Sequence, residues 1–328
     1  MTPKISVITT VFNCENYIAQ SVSSILKQTF RDFEYIIIND GSQDRTSHIV
    51  RELAEGDKRI IFSENEKNIG RVKSLNEALK KTKGEYIAIQ DADDVSFPDR
   101  LEKQVSFLER NSDFVLVGAN IIVMDEFENF ISNPIRPSND PDAKFSLLFR
   151  CTFANPSIMF RKKVILENNI QYEDNFIHAE DFRIISLISR HGKVYNLKEP
   201  LVKYRKHAFN NSTINSDTLN NGSILIAQQN LSELGIQITE DQVFRIRNLI
   251  SSKGLNKEYL YKDINMLFRT IKAFKQKYYE GRNNEIIFTL RRMLKWLGKK
   301  NIFSRFRYLR LYLSVLAFYY RESVFNRK

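Results

Sequence analysis

Short apolar runs alternate with helix-spaced patterns through the N-terminal third of the chain. "ISVITTV" (5–11), "EYIIIND" (34–40), "RIIFSE" (59–64), "EYIAIQD" (85–91) and "FVLVGAN" (114–120) are apolar without clean alternation, the pattern of strands buried on both faces. Between them, Ile18, Val22, Ile25 and Leu26 share one helical face, and further helices are predicted over "DRTSHIVRELAEG", around "VKSLNEALKKT" and after Pro98. Strands joined by helices make βαβ crossovers, so the fold class is α/β with a mainly parallel sheet flanked by helices. A helix is expected from near Glu180 to Gly192, with Ile184, Ile185, Leu187 and Ile188 inward. From about residue 210 the strand signals stop, and helices predicted at 259–279 and 285–297 form a C-terminal extension. The expected division is a domain over 1–215, with halves at 1–120 and 121–215, and a helical, basic extension over 216–328.

Composition adds a location for the charge. The 328 residues are 42% hydrophobic, enough for a core, and carry a net charge of +11. Residues 291–328 hold eleven Lys or Arg against one acid, Glu322, so the body over 1–290 is nearly neutral and no nucleic-acid partner is expected for it. Cys14 and Cys151 can form no disulfide framework and no CxxC pair, which suits a reducing compartment and two plain buried thiols. The start "MTPKISVITT" does not resemble a signal peptide, and the apolar run "LYLSVLAFYY" is half the ~20 residues of a spanning helix. A soluble or peripheral cytoplasmic protein is the expectation.

In open parallel sheets, ligands sit beyond the carboxyl ends of the strands. Those ends are polar here: 9–13, 39–42, 64–70 and 91–94. Neither G-x-G-x-x-G after the first strand nor a phosphate-binding loop occurs. Asp91-x-Asp93 offers hard oxygen ligands for Mg²⁺ or Mn²⁺ shared with a nucleoside diphosphate, or else forms a solvated turn in which Asp94 or Ser96 caps the next helix. Glu180-Asp181 is either ordinary acid placement in a first helical turn or a functional pair.

"ISVITTVFNCENYIAQSVSSILKQTFRDFEYIIINDGSQDRT", "NIG", "GEYIAIQDADD" and "AEDFRIISLISRHG", in that order, closely resemble the family 2 glycosyltransferases of the GT-A (Rossmann-like) fold, over roughly residues 3–210. The resemblance implies a nucleotide-sugar donor, such as a UDP-sugar, held by Thr10, Asn13, Glu15, Asp40, Arg71, Asp91, Ala92 and Arg205. It implies Mn²⁺ or Mg²⁺ on Asp91 and Asp93, with His207 of "VKYRKHAFNNST" as a further metal or phosphate ligand; a histidine in a basic loop is otherwise simply solvated. Asp181 is implied as the catalytic base, with Glu180 beside it, in an inverting displacement. The helix dipole would favour its ionised form. Asn39 departs from the family, where a second aspartate is more usual. A sugar nucleotidyltransferase, a glycoside hydrolase and a nucleic-acid binder are the competing readings, although "TTVFNCENY" lacks the Gly-rich basic loop of the first.

In the tail, Arg291, Arg292, Lys295, Lys299, Lys300, Arg305, Arg307 and Arg310 accompany Trp296, Phe303, Phe306 and Tyr308. Basic helices with aromatics suit an anionic membrane surface. Such a tail would hold the enzyme at the inner face of the cell membrane, beside a glycan or lipid-linked acceptor of surface polysaccharide or lipopolysaccharide assembly. Packing on the catalytic domain or on a second subunit, as a homodimer, is the alternative.

Overall fold

The computed structural model describes residues 2–208, 210, 214–251, 259–278, 284–299 and 306–322. The chain divides into two compact units, residues 1–138 with 151–222, and residues 139–150 with 223–328. The expected boundary at 215 thus falls within the first unit, and residues 139–150 belong to the second.

The first unit is built on β1 (Ile5–Val11), β2 (Phe33–Asn39), β3 (Ile60–Glu64), β4 (Tyr86–Ile89), β5 (Val95–Ser96), β6 (Phe114–Met124), β7 (Phe130–Ser132), β8 (Met159–Arg161) and β9 (Lys193–Arg205). Every residue of β1, β2 and β4 is buried, as their unbroken apolar runs require. The strands lie in the order β3-β2-β1-β4-β8-β6-β9-β5, with β7 paired to β6. β3, β2, β1 and β4 are parallel, β8 runs antiparallel to both β4 and β6, and β9 is parallel to β6. This is the GT-A arrangement, mostly parallel with antiparallel insertions. Helices α1 (Ile18–Leu26), α2 (Thr46–Gly56), α3 (Arg71–Lys81) and α4 (Arg100–Arg110) join the strands, and α1 and α4 bury Ile18, Val22, Ile25, Leu101, Val105 and Leu108 in the sheet core. α6 (Lys162–Glu167) and α7 (Glu180–Ser189) follow β8.

The connection from β1 leads to β2 on one side, while β4 lies on the other. The strand order reverses there, so the crevice beyond the ends of β1 and β4 is where a ligand is expected. Gly41 (φ 71) and Gly70 (φ 95) make its turns; a Cβ at Gly41 would stand 2.5 Å from the Lys67 carbonyl carbon.

The second unit contains α5 (Asp140–Leu147), the C-terminal part of α8 (Ser216–Ser232), α9 (Glu240–Ser251), α10 (Leu260–Tyr278), α11 (Asn284–Lys299) and α12 (Phe306–Tyr320). Asp142 of α5 accepts from the backbone N–H groups of Asn284 (2.7 Å) and Glu285 (3.2 Å). That contact satisfies the open start of α11 and explains why α5 belongs to this unit. Leu267, Ile271, Phe274 and Ile286 are fully buried in its core, and Phe268 stacks on Phe318 at 4.4 Å. Of the tail residues named above, Arg291 is exposed; Lys300, Phe303 and Arg305, and the side chains of Arg292, Lys295, Trp296, Lys299, Phe306, Arg307, Tyr308 and Arg310, lie outside the described residues. Among the described residues, no helix is long and apolar enough to cross a membrane.

Candidate active site

The end of β4 is fixed by a side chain that pattern reading passes over. Arg100, fully buried at the start of α4, donates to the carbonyl of Ile89 (2.7 Å) and to Gln90 Oε1 (2.9 Å). Gln90 in turn donates to the Asp94 carbonyl (2.8 Å) and Ser21 Oγ (3.0 Å). A buried polar lattice of this kind holds the turn that follows in one conformation.

The three carboxylates of that turn point to different environments. Asp91 Oδ1 accepts from Arg71 Nη2 (2.7 Å) and from Asn155 Nδ2 (2.9 Å). Asp93 Oδ2 meets His207 Nε2 at 2.9 Å and Asn210 Nδ2 at 3.2 Å. Asp94 points inward, is 0% exposed and accepts the Arg205 N–H at 2.7 Å, while its Oδ2 has no partner. Burial, then the charges of Asp93 and Asp91, hold its carboxyl well above the usual range. Asp94 caps no helix, and neither does Ser96; α4 begins at Arg100, with Asp99 before it.

The donor atoms suit a hard divalent ion. Two ligands bonded at about 2.1 Å and at right angles stand ~3.0 Å apart, and the Asp93 Oδ2 to His207 Nε2 separation is 2.9 Å. Among the described residues no group of three His, Cys, Asp or Glu side chains could hold a metal alone. The pair would therefore share an ion with substrate oxygens, as Mg²⁺ and Mn²⁺ sites commonly do.

On the far side of the crevice, Glu180 and Asp181 open α7. Arg71, the first residue of α3, spans the gap: its Nη2 reaches Asp91 and its Nε stands 3.0 Å from Glu180 Oε1. Asp181 Oδ1 accepts its neighbour Phe182 N–H at 2.6 Å. Its carboxyl is pushed up from the usual 3.8 to about 7, chiefly by burial and then by Glu180, against the Phe182 N–H and Arg71. The helix-dipole expectation of a group ionised throughout the neutral range is thus corrected: desolvation outweighs the helix start.

The other expected donor-site residues take varied positions. Thr10, the penultimate residue of β1, is buried, and the Ala92 carbonyl lies 3.5 Å from Cys14 Sγ. Asn13, at φ 49, accepts from the Gln43 N–H (2.9 Å), and Glu15 accepts from the Arg45 N–H (2.9 Å), so both tie the loop after β1 to the start of α2. A cavity of about 580 Å³ opens beside them, lined by Phe12, Ser42, Gln43, Asn65 and Asn68 among others. Asn39, the departure from the family pattern, lies below: its amide donates to Glu64 (2.7 Å) and its oxygen accepts from Ser42 Oγ (2.5 Å).

Two expectations change. The resemblance implies that Asp40 helps hold the donor, but it is 3% exposed and accepts from Asn65 Nδ2 (2.8 Å) and the N–H groups of Ile69 (2.9 Å) and Gly70 (2.9 Å). In this structure it clasps the loop before α3 and so sets where Arg71 begins. The resemblance also implies that Arg205 helps hold the donor, but it is 2% exposed, lies over the Tyr17 ring and donates to the carbonyls of Asp93 (3.0 Å) and Glu126 (3.3 Å) and to Gln20. It holds the turn of Asp93 from behind. Asn155, Asn210 and Arg100 were not expected; only proximity to "HAFNN" could have pointed to Asn210. Cys14 and Cys151 are free thiols, and burial pushes Cys14 up to about 12 and Cys151 higher still, so neither is a ready nucleophile.

The family model "Glycosyl transferase family 2" matches residues 6–169. A glycosyltransferase of Haemophilus influenzae, described as uncharacterized, is 34% identical over 251 residues, covering 72% of this chain and 77% of the relative. The chain belongs to glycosyl transferase family 2. Among this glycosyltransferase's other relatives, the O-antigen biosynthesis glycosyltransferase WbnJ of Escherichia coli is 37% identical, covering 62% of this chain and 80% of that one. In fold it is similar to S. aureus TarS 1–349 in complex with UDP-GlcNAc, with a TM-score of 0.58 at 20% identity, over 83% of this chain and 81% of TarS. That likeness is one of fold, the GT-A arrangement described above.

Proposed function

We propose that this glycosyltransferase inverts the anomeric centre of a nucleoside-diphosphate sugar, UDP-linked, while transferring the sugar to a hydroxyl of a glycan or lipid-linked acceptor in surface polysaccharide assembly. The observation that carries the reading is Arg71, whose guanidinium reaches Asp91 at 2.7 Å and Glu180 at 3.0 Å. One side chain thereby joins the turn suited to a metal and diphosphate to the helix start that holds Asp181. The UDP-GlcNAc complex of TarS and the O-antigen role of WbnJ support the donor and acceptor classes.

Asp93 and His207, with Asp91, would hold Mn²⁺ or Mg²⁺, which when bound supplies positive charge to the departing diphosphate. Asn155 keeps Asp91 aimed at the crevice, and the buried Arg205 fixes the carbonyl of Asp93. Asp181 takes the proton from the acceptor hydroxyl as that oxygen attacks, on the face opposite the leaving group. A carboxyl with its pKa near 7 is matched to this task at neutral pH. The tail, by this reading, keeps the enzyme near anionic lipid at the inner face of the membrane.

Incubation with UDP-sugars and a glycan acceptor, followed by proton NMR of the new linkage, tests the reading. Release of UDP with inverted anomeric configuration is expected. Retained configuration would overturn the single-displacement assignment.

A further inference from the structure

Tyr172 is a buried tyrosine whose hydroxyl is not used. Its backbone is held by a reciprocal pair of hydrogen bonds with Asn76: Tyr172 N–H to Asn76 Oδ1 at 3.0 Å, and Asn76 Nδ2 to the Tyr172 carbonyl at 2.9 Å. Asn76 lies on α3, the helix that begins with Arg71, so one rigid element fixes both residues. The ring is 2% exposed, yet the phenol oxygen has no hydrogen-bond partner. Buried tyrosine hydroxyls ordinarily find one, and leaving it unpaired destabilises the fold. A phenylalanine would fill the same space without that cost. The hydroxyl is therefore suited to a partner that arrives from outside the chain.

Its surroundings say where that partner would be. Arg71, Glu180, Asp181 and Asp91 are all close enough for their charges to act on the phenol. Burial keeps the phenol protonated, hence a hydrogen-bond donor. Glu180 Oε2 and Arg71 Nε are likewise buried without a hydrogen bond, although Nε stands 3.0 Å from the other Glu180 oxygen. Two buried atoms without a partner, the phenol oxygen and Glu180 Oε2, thus belong to residues around the Arg71–Glu180 ion pair that joins the Asp91 turn to the start of α7. Arg71, 30% exposed, is the outermost of the three residues; Glu180 is 9% exposed. A donor whose diphosphate lies at Asp91-Asp93, and whose anomeric carbon faces Asp181, must carry its sugar ring across this ion pair.

We propose that Tyr172 is a specificity-determining residue of the donor-sugar pocket, its hydroxyl and Glu180 Oε2 together taking one ring hydroxyl of the transferred sugar once the Arg71 guanidinium turns toward the diphosphate. This rests on the donor reading of the preceding section. Tyr172 donates to the sugar oxygen, and Glu180 accepts the sugar O–H. Both unpaired groups are satisfied by one substrate group, and a sugar lacking that hydroxyl leaves them unpaired again.

The test is Tyr172→Phe in the full-length protein. The probes are whichever of UDP-glucose, UDP-galactose and their N-acetylamino forms turns over fastest, its singly deoxygenated analogues, and UDP alone. The variant should bind UDP within about twofold of wild type and melt no lower. It should lose about 10- to 100-fold in kcat/KM with the full sugar. One deoxy analogue should cost wild type more than it costs the variant, by about the factor that Tyr172→Phe itself costs with the full sugar, so the two losses do not add. Additive losses with every analogue, unchanged kcat/KM, or weakened UDP binding would each overturn the subsite alone. A wild type that neither binds UDP nor turns over any of these donors overturns the donor reading and the subsite with it.

Discussion

Asp181→Asn separates the role proposed for Asp181 from the cost of its carboxyl to the fold. In the folded chain the Asp181 carboxyl holds its proton up to about pH 7, whereas in the unfolded chain it releases it near 3.8. Between these values the folded state binds more protons, so raising the pH removes stability, and above about 7 the full penalty remains. At 1.36 kcal/mol per pH unit the penalty reaches at most about 4 kcal/mol. Asparagine keeps the shape, can still accept the Phe182 N–H and carries no charge. The variant should therefore be more stable than wild type near pH 8, by up to ~4 kcal/mol or several degrees in Tm, and the gap should close toward pH 4. Transfer should fall by about 10²- to 10⁴-fold while donor affinity barely changes. Wild-type kcat/KM should climb with pH through a midpoint near 7 as the base form appears. Denaturant titration of both proteins at about pH 4, 6 and 8, with a pH–rate profile of wild type, checks each part. Equal or lower stability of the variant near pH 8 would refute the burial argument, and a flat profile across neutrality would refute the role as base.

Removing divalent ions with EDTA, or substituting Asp93→Ala, should abolish transfer, and Mn²⁺ or Mg²⁺ should restore the first but not the second; turnover that persists in chelator would remove the metal from Asp93 and His207. Arg100→Met should destabilise the fold by about 3 kcal/mol or more, because the Ile89 carbonyl and Gln90 Oε1 would lose buried donors; urea unfolding reads it, and a loss under about 0.5 kcal/mol would mean the lattice contributes little. The full chain should sediment with anionic but not neutral liposomes, less so at high salt, and truncation after Asn284 should end the binding; equal recovery in the supernatant with both lipids would sink the membrane role of the tail.

Much of the fold was legible because its signal is local. β1, β2 and β4 are buried on both faces, so each reads as an unbroken apolar run, and α3, α4 and α10 show their inward faces by spacing alone. Strand ends in such a sheet collect ligands, which is why "QDADD" stands out in the sequence itself. β5 and β8, two and three residues long, carry too little periodicity to be seen. The reversal of direction at β8 depends on its pairing with β4 and β6, not on its composition.

The division of labour within the site was less legible, for a related reason. Whether a carboxylate faces a ligand or the protein is decided by partners distant in sequence. Asp94 turns inward because the Arg205 N–H, 111 residues away, waits there, and Asp40 is spent on N–H groups about 30 residues downstream. The same holds for the titration of Asp181. Its position at a helix start is visible in "AEDF" and by itself argues for an easily ionised acid. Its burial is assembled from the tertiary fold, and Glu180 adds a like charge. Burial is the larger effect, so a residue that local sequence would make a weak base becomes one poised near neutrality.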